Sequence, residues 1–364
     1  MSETYDPARA PHLAKWGERV RLGILNAPCP GCGKPKCFKP YLTPDGQIID
    51  MKVGRCDHES SCGYHLTPSE WKKNGGTIPE WDEEKAKEWA RKNPTERMEI
   101  PFSMVTARND ARNNVLLRYL FTVFPKDALI SAATRLFIGT TQPKGDTIFW
   151  LIDERGKVRS GKVMRYNPDG HRWKDEDGKG RMNWIHSMLW KHNHYAKVDP
   201  DRYQFEGCLF GLHQLGIPKY EGREVHIVES EKTALVGTTV FPQFLWMATG
   251  GLANLNVMRL KPVMDQGRTI QLHPDKDGAT KWAAQLNTIQ ESCGYKNIYI
   301  SPVMEEYWTE ADGSHADLCD VLIRMALEHK RTPVSEVLAS MKAQNPTLET
   351  LIQTFNLIPI DNEQ

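Results

Sequence analysis

The sequence lacks any uninterrupted apolar segment approaching the ~20 residues that a helix needs to span a bilayer. Its first twenty residues also lack the apolar stretch of a secretory signal peptide. These absences predict a soluble, cytoplasmic protein without a membrane partner. The 364 residues are 40% hydrophobic and 26% charged, which excludes wholesale disorder. At ~150 residues per domain, the length allows two or three domains.

An excess of charge of either sign is missing as well. The chain has 47 Lys and Arg against 46 Asp and Glu, a formal net charge of +1. Proteins that bind nucleic acid over a large surface usually carry a basic excess, so the sum argues against that class. The distribution is less even, because the segment from Cys29 to Arg55 and the stretch around Lys162 and Arg165 are locally basic. Any nucleic-acid binding is therefore expected to be local and sensitive to salt.

Cysteine is scarce outside one short segment, where five of the eight cysteines lie between Cys29 and Cys62. In a reducing compartment such a cluster indicates a metal rather than disulfides. The knuckle Cys29-Pro-Gly-Cys32 can turn two thiolates toward one ion, and alternation from Gln47 to Val53 predicts a strand before the second cysteine pair. We expect a zinc ribbon with a structural tetrahedral Zn²⁺ site whose ligands are Cys29, Cys32, Cys56 and Cys62. Cys37, His58 and His65 compete for a ligand position.

Cations and aromatic residues alternate around this knuckle. The predicted nucleic-acid contacts are Lys34, Lys36 and Arg55, accompanied by Lys39, Phe38 and Tyr41. Lysines suit the phosphates of single-stranded nucleic acid, and aromatic rings suit its bases. An ordinary solvated surface is the alternative.

The middle of the chain changes from helical to strand periodicity. Apolar spacing predicts helices over 114–121 and 128–136, and alternation predicts strands over 147–153 and 158–166 joined by a hairpin turn. Lys162 and Arg165 on the second strand could hold a nucleotide or a nucleic-acid backbone. A solvated strand face is the alternative.

Residues 224–330 alternate short apolar runs with helical segments, the pattern of a parallel α/β sheet. Strands are expected at 225–228, 244–249, 269–273 and 297–301, with a helix over 279–292. Ligands gather at the carboxyl ends of parallel strands. The residues that fall there are Glu229, Gly250, Gly251, Asp275 and Asp277.

Carboxylates at neighbouring strand ends suit Mg²⁺ or Mn²⁺, which would bridge to phosphate oxygens while the glycines allow close backbone approach. Glu229, Asp275 and Asp277 are therefore predicted metal ligands and catalytic residues. Lys232 is a further predicted catalytic residue, expected to touch a phosphate or else to pair with Glu231 or Glu229. The competing explanation is that the carboxylates only cap helices, as Asp317 and Asp320 would at the start of a later helix.

The run from Val225 to Ser301 resembles a Toprim domain, the metal-binding module of bacterial primases, type IA and II topoisomerases and certain nucleases. Glu229 corresponds to the family's glutamate, Gly250-Gly251 to its glycine turn, and the Asp275 region to its acidic pair. Asp317-Leu318-Cys319-Asp320 matches a following D-x-x-D element. Upstream, the strand pair from Phe149 and the segment from Cys208 to Leu212 resemble a primase-type core.

One departure concerns the acidic pair, normally D-x-D with a glycine three residues later. Aligning Gly278 with that glycine puts His273 in place of the first aspartate and weakens a hard-metal site, since imidazole is a poorer Mg²⁺ ligand. Taking Asp275 and Asp277 as the pair keeps the charge but shifts the helix start. Both registers keep Glu229 and Asp275.

The arrangement is similar to zinc-ribbon plus Toprim primase-like proteins of bacterial mobile elements, and the resemblance covers about three quarters of the chain. The resemblance implies an α/β fold: a zinc ribbon over 1–66, a helical linker over 67–105, the N-terminal part of a primase-like core over 106–222, a Toprim domain over 223–330 and a C-terminal helical segment over 331–364. It also implies a DNA primase, a nucleotidyltransferase of DNA replication that acts on single-stranded DNA and nucleoside triphosphates with Mg²⁺ or Mn²⁺. A replicative helicase is a candidate protein partner.

Two other functions fit the same residues. One is a nucleic-acid-binding protein that kept the Toprim scaffold after losing part of its metal site. The other is a metal-dependent Toprim nuclease. A topoisomerase fits least, because it needs a nucleophilic tyrosine on an additional domain.

Overall fold

The computed structural model describes residues 10–58, 62–92, 96–97, 99–178, 180–191, 203–204, 207–331, 334–355 and 357. The chain divides into two compact units. The first comprises Met1–Ile100 and Trp184–Gly207, and the second comprises Pro101–Asn183 and Cys208–Gln364. The finer domain boundaries expected from the sequence stay predictions.

The first unit contains a four-stranded antiparallel sheet of β1 (His12–Leu13), β2 (Phe38–Leu42), β3 (Gly54–Cys56) and β4 (His65–Leu66), adjacent in that order. Pro40 pairs with Gly54 in the β2–β3 register, and a Cβ at Gly54 would collide with Phe38, so this glycine allows the two strands to approach over a buried ring. The elements of this unit are β1 His12–Leu13, α1 Trp16–Arg21, β2 Phe38–Leu42, β3 Gly54–Cys56, β4 His65–Leu66, α2 Pro68–Lys73, α3 Glu83–Lys92, β5 Glu96–Arg97, α7 Ile185–Lys191 and β10 Tyr203–Gln204.

The strand predicted over Gln47 to Val53 is wrong. These residues form the turn-rich connection between β2 and β3, with one bridge between Leu42 and Ile48. Apolar residues alternate with polar ones here, but Ile49 and Val53 are buried within this connection and do not belong to a strand. The expected β-hairpin between the cysteine pairs does exist, but β2 and β3 form it.

The second unit begins with helices and a four-stranded sheet of β6 (Ile138–Thr140), β7 (Thr147–Ile152), β8 (Val158–Met164) and β9 (Met182–Trp184), adjacent in that order. β7 is antiparallel to both β6 and β8. Both helices expected at 114–121 and 128–136 are present within a few residues, and β7 pairs with β8 as the hairpin pattern predicted. The elements are α4 Ser103–Thr106, α5 Val115–Val123, α6 Lys126–Arg135, β6 Ile138–Thr140, β7 Thr147–Ile152, β8 Val158–Met164 and β9 Met182–Trp184.

The remainder of the second unit is built on a parallel sheet of four strands, β11 (Val225–Val228), β12 (Leu245–Ala248), β13 (Ile270–His273) and β14 (Ile298–Ile300). Their order in the sheet is β12-β11-β13-β14. Its strands read as short apolar runs because both faces are covered, and their core side chains are almost fully buried. The predicted parallel α/β arrangement is thus confirmed. The elements are β11 Val225–Val228, α8 Glu231–Val240, β12 Leu245–Ala248, α9 Val257–Asp265, β13 Ile270–His273, α10 Ala279–Cys293, β14 Ile298–Ile300, α11 Val303–Tyr307, α12 Leu318–Arg331, α13 Val334–Gln344 and α14 Thr347–Phe355.

Within the described part of the chain, no helix is long and apolar enough to cross a membrane.

Candidate functional site

The four predicted zinc ligands lie together in the first unit. The ligand atoms of Cys29, Cys32, Cys56 and Cys62 all lie within 4.8 Å of one another. The Sγ atoms of Cys29 and Cys62 are 3.8 Å apart, and those of Cys32 and Cys56 are 3.9 Å apart. A tetrahedral ion with Zn–S bonds of about 2.3 Å separates its sulfur ligands by about 3.8 Å. The thiol set therefore fits Zn²⁺.

A second group in the same region exchanges two of these ligands, with Cys32, Cys37, Cys56 and His58 also within 4.8 Å of one another. Hydrogen bonds favour the first set. The Cys37 thiol donates to the carbonyl of Lys34 at 3.2 Å, as a protonated sulfur does. By contrast, Sγ of Cys29, which belongs only to the first set, accepts the backbone N–H of Gly31 at 3.3 Å, as a thiolate does.

The surroundings of the knuckle limit the space at Gly31 and change the ionisation of Cys32. A Cβ at Gly31 would lie 2.8 Å from Cβ of Tyr64 and 2.9 Å from Sγ of Cys62, so no side chain fits there. A hydrogen bond from the side chain of His58 is the main cause that lowers the pKa of Cys32 to about 6, which favours a thiolate there. Burial instead raises the pKa of Cys56, and the pKa of Cys62 is raised as well. His65 instead stacks on Tyr41 at 6.1 Å between ring centroids.

The basic residues around the knuckle differ in exposure. Lys34 and Lys36 are exposed and Arg55 is half-buried. Lys39 forms an ion pair with Asp57 at 2.6 Å. Phe38 is fully buried, so it is part of the ribbon core and is not available to stack on a base.

In the second unit, Glu229 follows β11 directly and Asp275 follows β13 by two residues. The two strands are adjacent and parallel, with Val228 opposite His273, so both carboxylates lie at the same edge of the sheet. The glycine turn joins them there, because the backbone N–H of Gly250 donates to the carbonyl of Glu229 at 2.9 Å.

These carboxylates perturb one another. Burial, together with the charges of Asp317, Glu229 and Asp277, raises the pKa of Asp275 to about 8. Burial also raises the pKa of Glu229, and Asp277 adds to the rise. Arg172, a residue that the sequence did not single out, opposes both shifts.

The carboxylate oxygens at the strand ends do not form a compact set of metal ligands like that of the ribbon. Among the described residues, both groups of three or more ligand atoms within 4.8 Å of one another lie in the ribbon. Asp277 is exposed and forms an ion pair with His315 at 2.8 Å. Neither Asp275 nor Asp277 caps α10, whose N-cap residue Gly278 has no side-chain cap.

His273 does not occupy a carboxylate position at this edge. Its Nε2 lies 2.9 Å from Nδ1 of His226, and its ring packs against Trp246 at 5.3 Å between centroids. His273 therefore does not replace the aspartate that the Toprim pattern would place at this position, because its ring is directed to His226 and Trp246.

The predicted cations of the second unit are paired. Lys162 is buried on β8, where its Nζ lies 3.0 Å from Glu231 and donates to the carbonyl of Gly250 at 3.2 Å. The alternative of a solvated strand face is therefore wrong for Lys162. Arg165 forms an ion pair with Asp146 at 2.8 Å. Their contact with nucleic acid stays a prediction.

Lys232 pairs with Asp320 at 3.8 Å rather than with Glu231 or Glu229. Burial opposes the charge of Lys232, but Cys319, Asp317 and Asp320 raise its pKa overall. Asp317 and Asp320 also accept each other's backbone N–H groups at the start of α12, so the capping role considered for them is present.

Comparisons with known proteins identify two regions. Residues 25–77 match a putative zinc β-ribbon finger, and residues 114–276 match a domain of unknown function, DUF6371. The chain thus carries an N-terminal zinc ribbon in a mixed α/β protein. No curated protein matches the chain.

Two solved structures show distant similarity. The primase fragment of the bacteriophage T7 primase-helicase protein is 14% identical with a TM-score of 0.32, over 76% of this chain and 88% of that one. The zinc-binding and RNA polymerase domains of the Aquifex aeolicus primase are 12% identical with a TM-score of 0.30, over 96% of this chain and 85% of that one. Similarity at this level identifies neither fold nor function.

Proposed function

We propose that the protein is a primase-like nucleotidyltransferase, in which the zinc ribbon binds single-stranded DNA and a Toprim-like site binds Mg²⁺ or Mn²⁺. What carries the proposal is the pair of carboxylates at the ends of adjacent parallel strands, Glu229 and Asp275. Burial is the main cause that raises the pKa of Asp275 to about 8, and the charges of Asp317 and Glu229 add to it. A divalent cation held by Glu229 and Asp275 would offset both the burial of the charges and their repulsion.

The residues present fit a hard cation, because carboxylate oxygens are its preferred ligands. Glu229 and Asp275 would hold the ion. The charge of Asp277 also acts on Asp275 and would add to the attraction for a cation. A bound ion would neutralise the phosphates of a nucleoside triphosphate during nucleotidyl transfer. Lys162 would act on the site indirectly, by holding Glu231 and the carbonyl of Gly250 in the turn next to Glu229.

A second candidate function is nucleic-acid binding without catalysis. It is supported by the contacts of His273 with His226 and of Asp277 with His315, which occupy two side chains that the family pattern would give to the metal.

One assay separates the candidates. The protein is incubated with single-stranded DNA, labelled ribonucleotides and Mg²⁺ or Mn²⁺. We expect oligoribonucleotide synthesis, and we expect Glu229→Gln to reduce it by about 100-fold or more, whereas the exposed control Glu221→Gln leaves it unchanged. Strand scission instead of synthesis would identify a nuclease, and a mobility shift alone would identify a binding protein. Synthesis that survives Glu229→Gln would refute the metal assignment.

A further inference from the structure

The zinc ribbon contains more metal ligands than one ion can use. Both ligand groups within 4.8 Å in the described part of the chain contain Cys32 and Cys56. The first group completes the zinc site with two further cysteines, whereas the second group adds Cys37 and His58. Neither group combines Cys37 or His58 with those two further cysteines. The shared thiols therefore belong to two neighbouring sets of four ligands.

The second set has the dimensions of a tetrahedral thiolate site. The Sγ atoms of Cys32 and Cys56 are 3.9 Å apart, and Sγ of Cys37 lies 4.0 Å from the first and 3.7 Å from the second. A tetrahedral ion with bonds of about 2.3 Å to sulfur separates its ligands by about 3.8 Å. The three sulfurs thus form one face of a tetrahedron, and His58 supplies a nitrogen for the fourth position.

The charge of the first site favours a second cation beside it. Four thiolates around one Zn²⁺ carry two more negative charges than the ion neutralises. A thiolate bound to one metal ion keeps lone pairs on its sulfur, so Cys32 and Cys56 can each bridge two ions. Thiolates prefer soft cations, which sets the chemical class of the second ion.

The burial of the ligands gives the second ion a way in. Cys37 and Cys56 are buried and Cys32 is half-buried, but His58 is exposed. The Cys37 thiol donates to the carbonyl of Lys34 at 3.2 Å, so it must release its proton to solvent before its sulfur can bind a metal. This cost falls on the second ion alone, and the first site therefore fills first.

We propose that the ribbon binds a second, soft divalent cation when metal exceeds one equivalent, with Cys37 and His58 as its own ligands and Cys32 and Cys56 as bridges to the zinc. The chain with one Zn²⁺ is the starting state. The inference concerns the ribbon alone and does not depend on the proposed nucleotidyl transfer.

Addition of Cd²⁺ to the zinc-loaded full chain tests the proposal. Unbound ions are removed by gel filtration, and zinc plus cadmium per chain is measured by elemental analysis. We expect the total to rise from one ion to two, and we expect one proton to be released for the added ion because Cys37 ionises. The sum of the two metals is unaffected if Cd²⁺ also replaces Zn²⁺ in the first site. A total that stays at one ion per chain overturns the proposal.

Three variants locate the added ion. Cys37→Ser should keep the first ion and fail to take up the second, and His58→Ala should weaken the second ion by about ten-fold or more. Cys293→Ser removes an exposed thiol outside the ribbon and should still reach two ions.

A second ion that both Cys37→Ser and His58→Ala retain at full affinity would be adventitious and would refute the assignment. The same holds if Cys293→Ser alone loses it. Thermal unfolding of each variant shows whether it is folded. If Cys37→Ser does not fold, His58→Ala decides, because its side chain is exposed.

Discussion

Lys162 and Glu231 form a buried ion pair that connects β8 to α8, and neither side chain is more than 6% exposed. Burial removes the hydration of both charges, so the pair holds the glycine turn at a defined place instead of adding much net stability. The basic residues of its strand predicted that Lys162 lies near the site. Local sequence could not predict its partner Glu231. The two residues are 69 positions apart, and only the fold brings them together.

The zinc ligands are the clearest prediction at the scale of single residues. Elemental analysis should find one Zn²⁺ per chain in the unmodified protein. Cys62→Ser should lose most of it and destabilise the ribbon, because the closed tetrahedral site loses a thiolate. Cys37→Ser should keep the metal, since its thiol donates to the carbonyl of Lys34.

The exposed Cys293→Ser serves as the control and should bind zinc normally. The reverse result, in which Cys37→Ser loses zinc and Cys62→Ser retains it, would assign the ligands to Cys32, Cys37, Cys56 and His58.

At the scale of elements, periodicity predicted what depends on local sequence. β11 was predicted at its observed bounds, and α10 was predicted within one residue, because apolar runs bounded by charge and glycine mark strands and helices directly. The same reasoning gave a wrong strand for the connection from Gln47 to Val53, because alternation of apolar residues indicates burial but does not show that a partner strand is present. The inward turn of His273 also depends on tertiary packing against Trp246.

Gly237 in α8 provides a test of that packing. Replacing a helical glycine by alanine usually stabilises a helix by about 1 kcal/mol. A Cβ at Gly237, however, would lie only 2.6 Å from Cε3 of Trp246. Gly237→Ala should therefore destabilise the protein by about 1–3 kcal/mol, measured by urea unfolding.

Gly180→Ala, outside any helix, is a control for the steric effect alone, because a Cβ there would meet nothing closer than 3.8 Å and should change stability little. A stabilised Gly237→Ala protein would show that α8 and β12 pack less tightly than described.

At the scale of the whole molecule, buried neutral histidines make the fold sensitive to acid. Burial lowers the pKa of His186, His213 and His226 from 6.5 to about 4 and that of His273 to about 3. The unfolded chain takes up protons below pH 6.5 while the folded chain does not. Stability is therefore present above pH 6.5 and is lost as the pH falls through about 4.

Urea unfolding across this pH window should show that the free energy of unfolding falls by at most about 1.4 kcal/mol per pH unit for each such histidine. His213→Gln should reduce the slope, because glutamine can still donate to the carbonyl of Arg135 without taking up a proton. An identical slope in His213→Gln would mean that His213 does not titrate differently on folding.

The position of β11 in the sheet has a consequence for the chain before it is folded. β11 is the earliest of the four parallel strands, and its two partners, β12 and β13, are synthesised after it. Until they arrive, the apolar run Val225–Val228 has two unpaired edges and could pair with another copy of the chain. Arg223 and Glu224 before the run and Glu229 after it are charges of the kind that suppress such aggregation. Replacing Glu229 with glutamine therefore removes protection against intermolecular strand pairing as well as a candidate metal ligand.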